Sequence, residues 1–118
     1  MKIEILKRNI LLTEKLRIHV LRQLAFALSR FGEKVAKVVV SFSNIRTRRG
    51  DIDKRCQIDV GLKRTVTTAA RDGDELVAVS QAAERAGRSV ARALDREGAV
   101  EAEGASAIPV GRGRKRRT

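Results

Sequence analysis

Arginines at positions 85, 88, 92 and 96 recur at steps of three and four residues, the spacing that stacks side chains into one stripe along an α-helix. A guanidinium group can donate two parallel hydrogen bonds to a single anion, so such a row suits phosphates better than lysines would. On the same segment Leu76, Val79, Ala83, Ala86, Val90 and Leu94 fall on the opposite side. One face is thus built for a core and the other for a polyanion. Glu84 and Asp95 flank the stripe rather than alternating within it, whereas a merely solvated face mixes signs.

The whole chain repeats this bias. Its 118 residues carry 26 Lys and Arg against 14 Asp and Glu, a formal net charge of +12. That exceeds what solubility alone calls for and points to an anionic partner. Nucleic acid is the usual one, because cations that engage a phosphate backbone release condensed counterions. An anionic membrane is the rival. Against it, no segment approaches the roughly 18 to 20 apolar residues of a bilayer span, and the N-terminus lacks a signal peptide's apolar region. A cytoplasmic location is expected.

Further cations extend the candidate RNA-binding set. Lys7 and Arg8 precede the first helix, which adds Arg22 and Arg30, with Lys15, on its polar side. The C-terminal string GRGRKRRT contributes Arg112, Arg114, Lys115, Arg116 and Arg117. Residues 99–118 hold three net positive charges and too little apolar surface to order themselves, so a flexible basic tail is predicted, with a solubilising extension as its bland alternative. Such a tail can anchor RNA by tracking phosphates. The cluster Arg46, Arg48, Arg49, Lys54 and Arg55 reads equally as a groove probe or a solvated loop, since Asp51 and Asp53 offset part of its charge.

Catalytic chemistry finds little footing. Cys56 is the only cysteine and His19 the only histidine. The first reads as a small buried hydrophobe within an alternating run, the second as a surface residue on a helix's polar side. No Gly-rich phosphate loop precedes a helix, and no nucleophile stands beside a base. Asp51, Asp53, Asp72 and Asp74 are explained by turns and helix capping. No enzyme activity, metal, cofactor or small-molecule substrate is expected. With no Trp or Tyr and three Phe, at 26, 31 and 42, in helix or core positions, base stacking is not expected either.

The elements that must position the arginines follow from periodicity. Lys2 to Arg8 alternates as a half-buried strand. Thr13 caps a helix from Glu14 to Phe31, stopped by Gly32. Val35 to Ile45 is a second strand, followed by a long charged hairpin loop from Arg46 to Lys54. Arg55 to Leu62 and Thr65 to Ala70 are strands three and four. Asp72 or Asp74 caps the last helix, which runs from Glu75 to about Arg96 and ends at Gly98. Gly87 inside it costs about 1 kcal/mol relative to alanine. The expected fold is α+β, β-α-β-β-β-α, a four-stranded sheet with both helices on one face.

Three strings carry a further resemblance: Lys7-Arg8-Asn9 leading to Thr13, then LRIHVLRQLAFALSRF, then DGDELVAVSQAAERAGRSVARAL. Together, over about residues 1 to 97, they resemble the ribosome hibernation-promoting factor family, also called ribosome-associated inhibitor or sigma-54 modulation proteins. Arg85 and Arg88 fall where that family carries basic residues. The resemblance implies a fold related to double-stranded-RNA-binding domains. It also implies binding to the small ribosomal subunit and its rRNA in the mRNA/tRNA channel, blocking translation and preserving idle ribosomes. Gln23 and Phe26 stand where the family's first helix is typically basic, and Ile18, Leu21 and Phe26 make that helix's polar side unusually apolar. Residues 99–118 are too short to be the second, dimerising domain of long members, so domain one is placed at 1–98 and a monomer is expected. The competing reading is a constitutive ribosomal, assembly or duplex-RNA-binding protein.

Overall fold

In the computed structural model, residues 1–7 and 10–103 are described, with 98–103 as helical backbone alone. Strand β1 (Lys2–Lys7) precedes helix α1 (Glu14–Leu28), and strands β2 (Lys37–Arg46), β3 (Ile52–Gly61) and β4 (Thr65–Asp72) follow in succession before helix α2 (Glu75–Glu103). The order β-α-β-β-β-α is the expected one. The sheet runs β1-β2-β3-β4, with β1 parallel to β2 and the other pairs antiparallel.

Period-two alternation in the strands and period-3.6 patterning in the helices converge on one core. Val38, Val40 and Phe42 of β2 meet Cys56, Ile58 and Val60 of β3, and the buried row Leu16, Val20, Leu24 and Leu28 of α1 joins them. From α2 come Ala78, Val79, Ala82, Ala83, Ala86 and Val90. Small residues on α2 bring its axis close to its neighbours. A Cβ added at Gly87 would lie 3.1 Å from the carbonyl oxygen of Ala27 on α1. Gly87, read from sequence as a propensity cost, is therefore a contact point between the helices.

Several boundaries differ from expectation. The first α-helix stops at Leu28, and a 3-10 helix, Ser29–Lys34, follows with Gly32 at φ 58 inside it. Gly32 supplies a left-handed backbone position rather than a simple stop. The hairpin loop is only Thr47–Asp51, closed by the Gly50 amide donating to the Thr47 carbonyl at 3.0 Å. Gly50 takes φ 93, which an L side chain resists. Arg46 consequently ends β2, and Ile52, Asp53 and Lys54 extend β3 ahead of Arg55, because backbone pairing continues past the core without needing apolar side chains. Last, α2 continues through Gly98 to Glu103, five residues into the segment expected to be a disordered tail. The Ala99–Glu103 run contains good helix formers that outweigh one glycine.

Candidate nucleic-acid interface

Capping fixes where α2 begins, and thereby the phase of its arginines. The Leu76 amide donates to Asp74 Oδ1 at 2.8 Å, and the Asp74 amide to Asp72 Oδ2 at 2.9 Å. Of the two candidate caps, Asp74 holds the helix and Asp72 braces the turn. From that start, the buried positions of α2 seat it on β3 and β4, leaving Arg85, Arg88, Arg92 and Arg96 exposed.

The row runs along a seam rather than over open solvent. Arg85, Arg88 and Arg92 line a shallow groove with Ser89 of α2 and Thr68 and Ala69 of the edge strand β4. Arg85 Nη1 donates to the Ala69 carbonyl at 2.7 Å, and Arg92 Nη2 to Ser89 Oγ at 3.4 Å. The Thr68 hydroxyl donates to the Ala82 carbonyl at 3.4 Å, tying strand to helix at the groove floor. Among the described residues no carboxylate pairs with any of the four arginines. Their remaining donors are left for an external anion. Thr68, Ala69 and Ser89 were not legible as site residues, since nothing local marks a strand edge that a distant helix will flank.

A second groove separates α1 from α2, lined by Gln23, Phe26, Ala27 and Arg30 on one wall and Ser80, Ala83, Glu84, Gly87 and Arg88 on the other. Arg88 borders both grooves and so joins Arg30 to the row. Arg22 is exposed on α1 but borders neither groove, and Arg96 lies one turn beyond the first. Lys7 is exposed at the end of β1, in register with Phe42. Arg8, Arg112, Arg114, Lys115, Arg116 and Arg117 fall outside the described residues.

Two further expectations change here. His19 is half-buried between the helices, its Nε2 3.1 Å from the Leu76 carbonyl and 3.0 Å from Ser80 Oγ. A carbonyl can only accept, so the hydrogen is assigned to Nε2 and His19 acts as a clamp between α1 and α2. Of the three phenylalanines, Phe42 is buried and Phe31 half-buried beneath the Arg30 guanidinium, 4.7 Å from its ring centroid. Phe26 is 88% exposed. An aromatic surface is therefore available, against the expectation drawn from the chain's aromatic poverty.

Cys56 behaves as expected: it is fully buried, and burial pushes its thiol up to about 12, the nearby Arg55 charge opposing only in part. A thiol held protonated is inert as a nucleophile. Among the described residues, no group of three or more His, Cys, Asp or Glu could hold a metal ion. No helix among them is long and apolar enough to cross a membrane.

This architecture matches known structures. A ribosomal subunit interface protein from Coxiella burnetii superposes with a TM-score of 0.70 at 14% identity, over 80% of this chain and 99% of its own. The N-terminal domain of Thermus thermophilus Protein Y superposes at 0.64 with 26% identity, over 78% of this chain and 98% of its own. No curated protein matches the chain. A family model spans residues 3–97, from the first strand through the whole arginine row, and its description is sigma 54 modulation protein / S30EA ribosomal protein. Sharing its sequence pattern over residues 3–97, the chain belongs to the sigma 54 modulation protein / S30EA ribosomal protein family.

Proposed function

We propose that this chain is a cytoplasmic hibernation factor of the stress response, one that binds rRNA of the small ribosomal subunit and inhibits translation by occupying the mRNA/tRNA channel. The observation that carries this reading is the arginine row on α2, set in a groove against β4 with no acidic partner among the described residues. Membership of a family described as ribosomal supports the choice of RNA. The protein acts as a monomer and without catalysis: it fills a site by charge and shape, and the basic residues of 104–118 add an anchoring arm.

Sedimentation with vacant small subunits and with mRNA- and tRNA-filled ribosomes, at rising salt, tests this. Stoichiometric binding to the vacant particle is expected, lost when the channel is filled and lost in an Arg85/Arg88/Arg92 to Glu variant. Equal binding to both states would instead establish a constitutive ribosomal or general RNA-binding protein. Deleting residues 105–118 should weaken RNA affinity and flatten its salt dependence; an unchanged slope removes the anchoring arm.

A further inference from the structure

The outward row of the first helix reads Ile18, Arg22, Phe26, then Arg30 in the 3-10 helix, a repeat of four residues in which apolar groups alternate with cations. All four are exposed. An apolar protein-docking stripe would gather its greasy residues into one patch, but here a guanidinium stands on either side of Phe26 along the row. One exposed aromatic ring between two cations suits a different occupant, one that joins flat rings to phosphates.

Phe26 borders the groove between the two helices. Ala27, Ala83 and Gly87 are small and line the groove without filling it, Phe26 stands 88% exposed at its side, and the Gln23 amide offers both a donor and an acceptor to a base edge. Arg30 and Arg88 stand on opposite walls against a single acid, Glu84, so the groove is net cationic. Stacking on Phe31 restrains the Arg30 guanidinium at this position. We propose that the α1/α2 groove is a single-nucleotide site, in which an unstacked RNA base lies on Phe26 while Arg30 and Arg88 take the adjoining phosphates. This rests on RNA being the partner, and not on the ribosome being its source.

The chain lacks Trp and Tyr, so a Phe26→Trp variant has a unique fluorophore at the site. Its indole emission is expected to be quenched on titration with single-stranded oligouridylate, an RNA with little stacking of its own, with saturation matching binding followed by anisotropy. Phe26→Leu should bind the same oligonucleotide about ten-fold more weakly. Its salt slope should stay that of the parent, because no phosphate contact is removed, and its affinity for an RNA duplex of equal phosphate count should not change. Unquenched emission at saturation, or equal oligouridylate affinity in Phe26→Leu, would overturn the base site. If Phe26→Leu weakens sedimentation with small subunits while oligouridylate binding is untouched, the ring meets ribosomal protein and the proposal fails. Failure of the parent to sediment with small subunits, with quenching intact, would remove the ribosomal reading and leave the base site standing.

Discussion

The two flanks of this sheet handle charge in opposite ways. On the open face, away from the helices, charges of both signs are paired locally. Arg55 donates to Gln57 Oε1 at 2.9 Å, Gln57 reaches Asp59 at 3.3 Å, and Thr67 donates to Asp59 at 2.7 Å. Lys37 pairs with Glu4 at 3.2 Å and Arg71 with Asp53 at 3.7 Å. Along α2 the arginines share one sign and meet only a backbone carbonyl and a serine hydroxyl. An internally satisfied surface gains little from an external ion, whereas unsatisfied cations gain charge-assisted bonds and release counterions. Net charge alone does not locate a candidate anion site; a row of like charges without a carboxylate partner marks one.

The largest test of this contrast reverses the row. Arg85, Arg88 and Arg92 to Glu should weaken binding to any phosphate-rich RNA by at least about 100-fold and lower the logarithmic salt slope by about 3. Filter binding across a salt series measures both, and a parental slope would mean that the row is not the contact.

Displacing the row without discharging it sharpens the contrast. Gly87→Leu forces a side chain against Ala27, where even a Cβ would stand 3.1 Å from the carbonyl oxygen. A loss of about 2 kcal/mol in urea unfolding is expected, with RNA affinity falling although every arginine remains. His19→Ala removes the clamp to Leu76 and Ser80 and should cost about 1 kcal/mol.

Between the two flanks lies Cys56, whose thiol titrates at about 12 in the fold against 9.0 for an ordinary thiol. Below pH 9 both folded and unfolded states keep the proton, and no stability depends on it. As pH rises from 9 towards 12 the unfolded state ionises first, so this residue's contribution falls. Replacement by alanine should flatten that part of the pH–stability curve, and the native thiol should resist iodoacetamide at pH 8 until the protein is unfolded.

The smallest effect belongs on the open face. Arg71→Ala breaks an exposed pair with Asp53, so its stability cost should stay within about 0.5 kcal/mol and RNA binding should be parental. A loss comparable to that of the α2 variant would erase the distinction between the flanks.

Much of the frame was legible beforehand because its signals are local. Thr13 caps α1 with a 3.1 Å bond from the Leu16 amide, and the buried row at 16, 20, 24 and 28 follows the expected period. Strand faces read correctly wherever one side is buried, as at Cys56, Ile58 and Val60. Errors fall where burial gives no signal. The paired strand ends at Arg46 and at 52–54 carry charged or exposed residues and resembled a loop. His19 looked solvent-facing because its partners lie 57 and 61 residues away. The edge of β4 showed nothing in sequence to say that Arg85 would reach Ala69.

Composition and periodicity by themselves determined the order of elements, the single core, the excess of positive charge and the arginine row on one side of the last helix. Those properties follow from short-range sterics and the partition of apolar side chains, which act within a few residues. Tertiary structure alone decided what stands beside the row: the β4 edge on one flank, and on the other a groove where Phe26 and Arg30 face Arg88. The reason is close packing, because the distance and rotation between α1 and α2 depend on how Gly87 and Ala27 meet, and no local pattern records that fit.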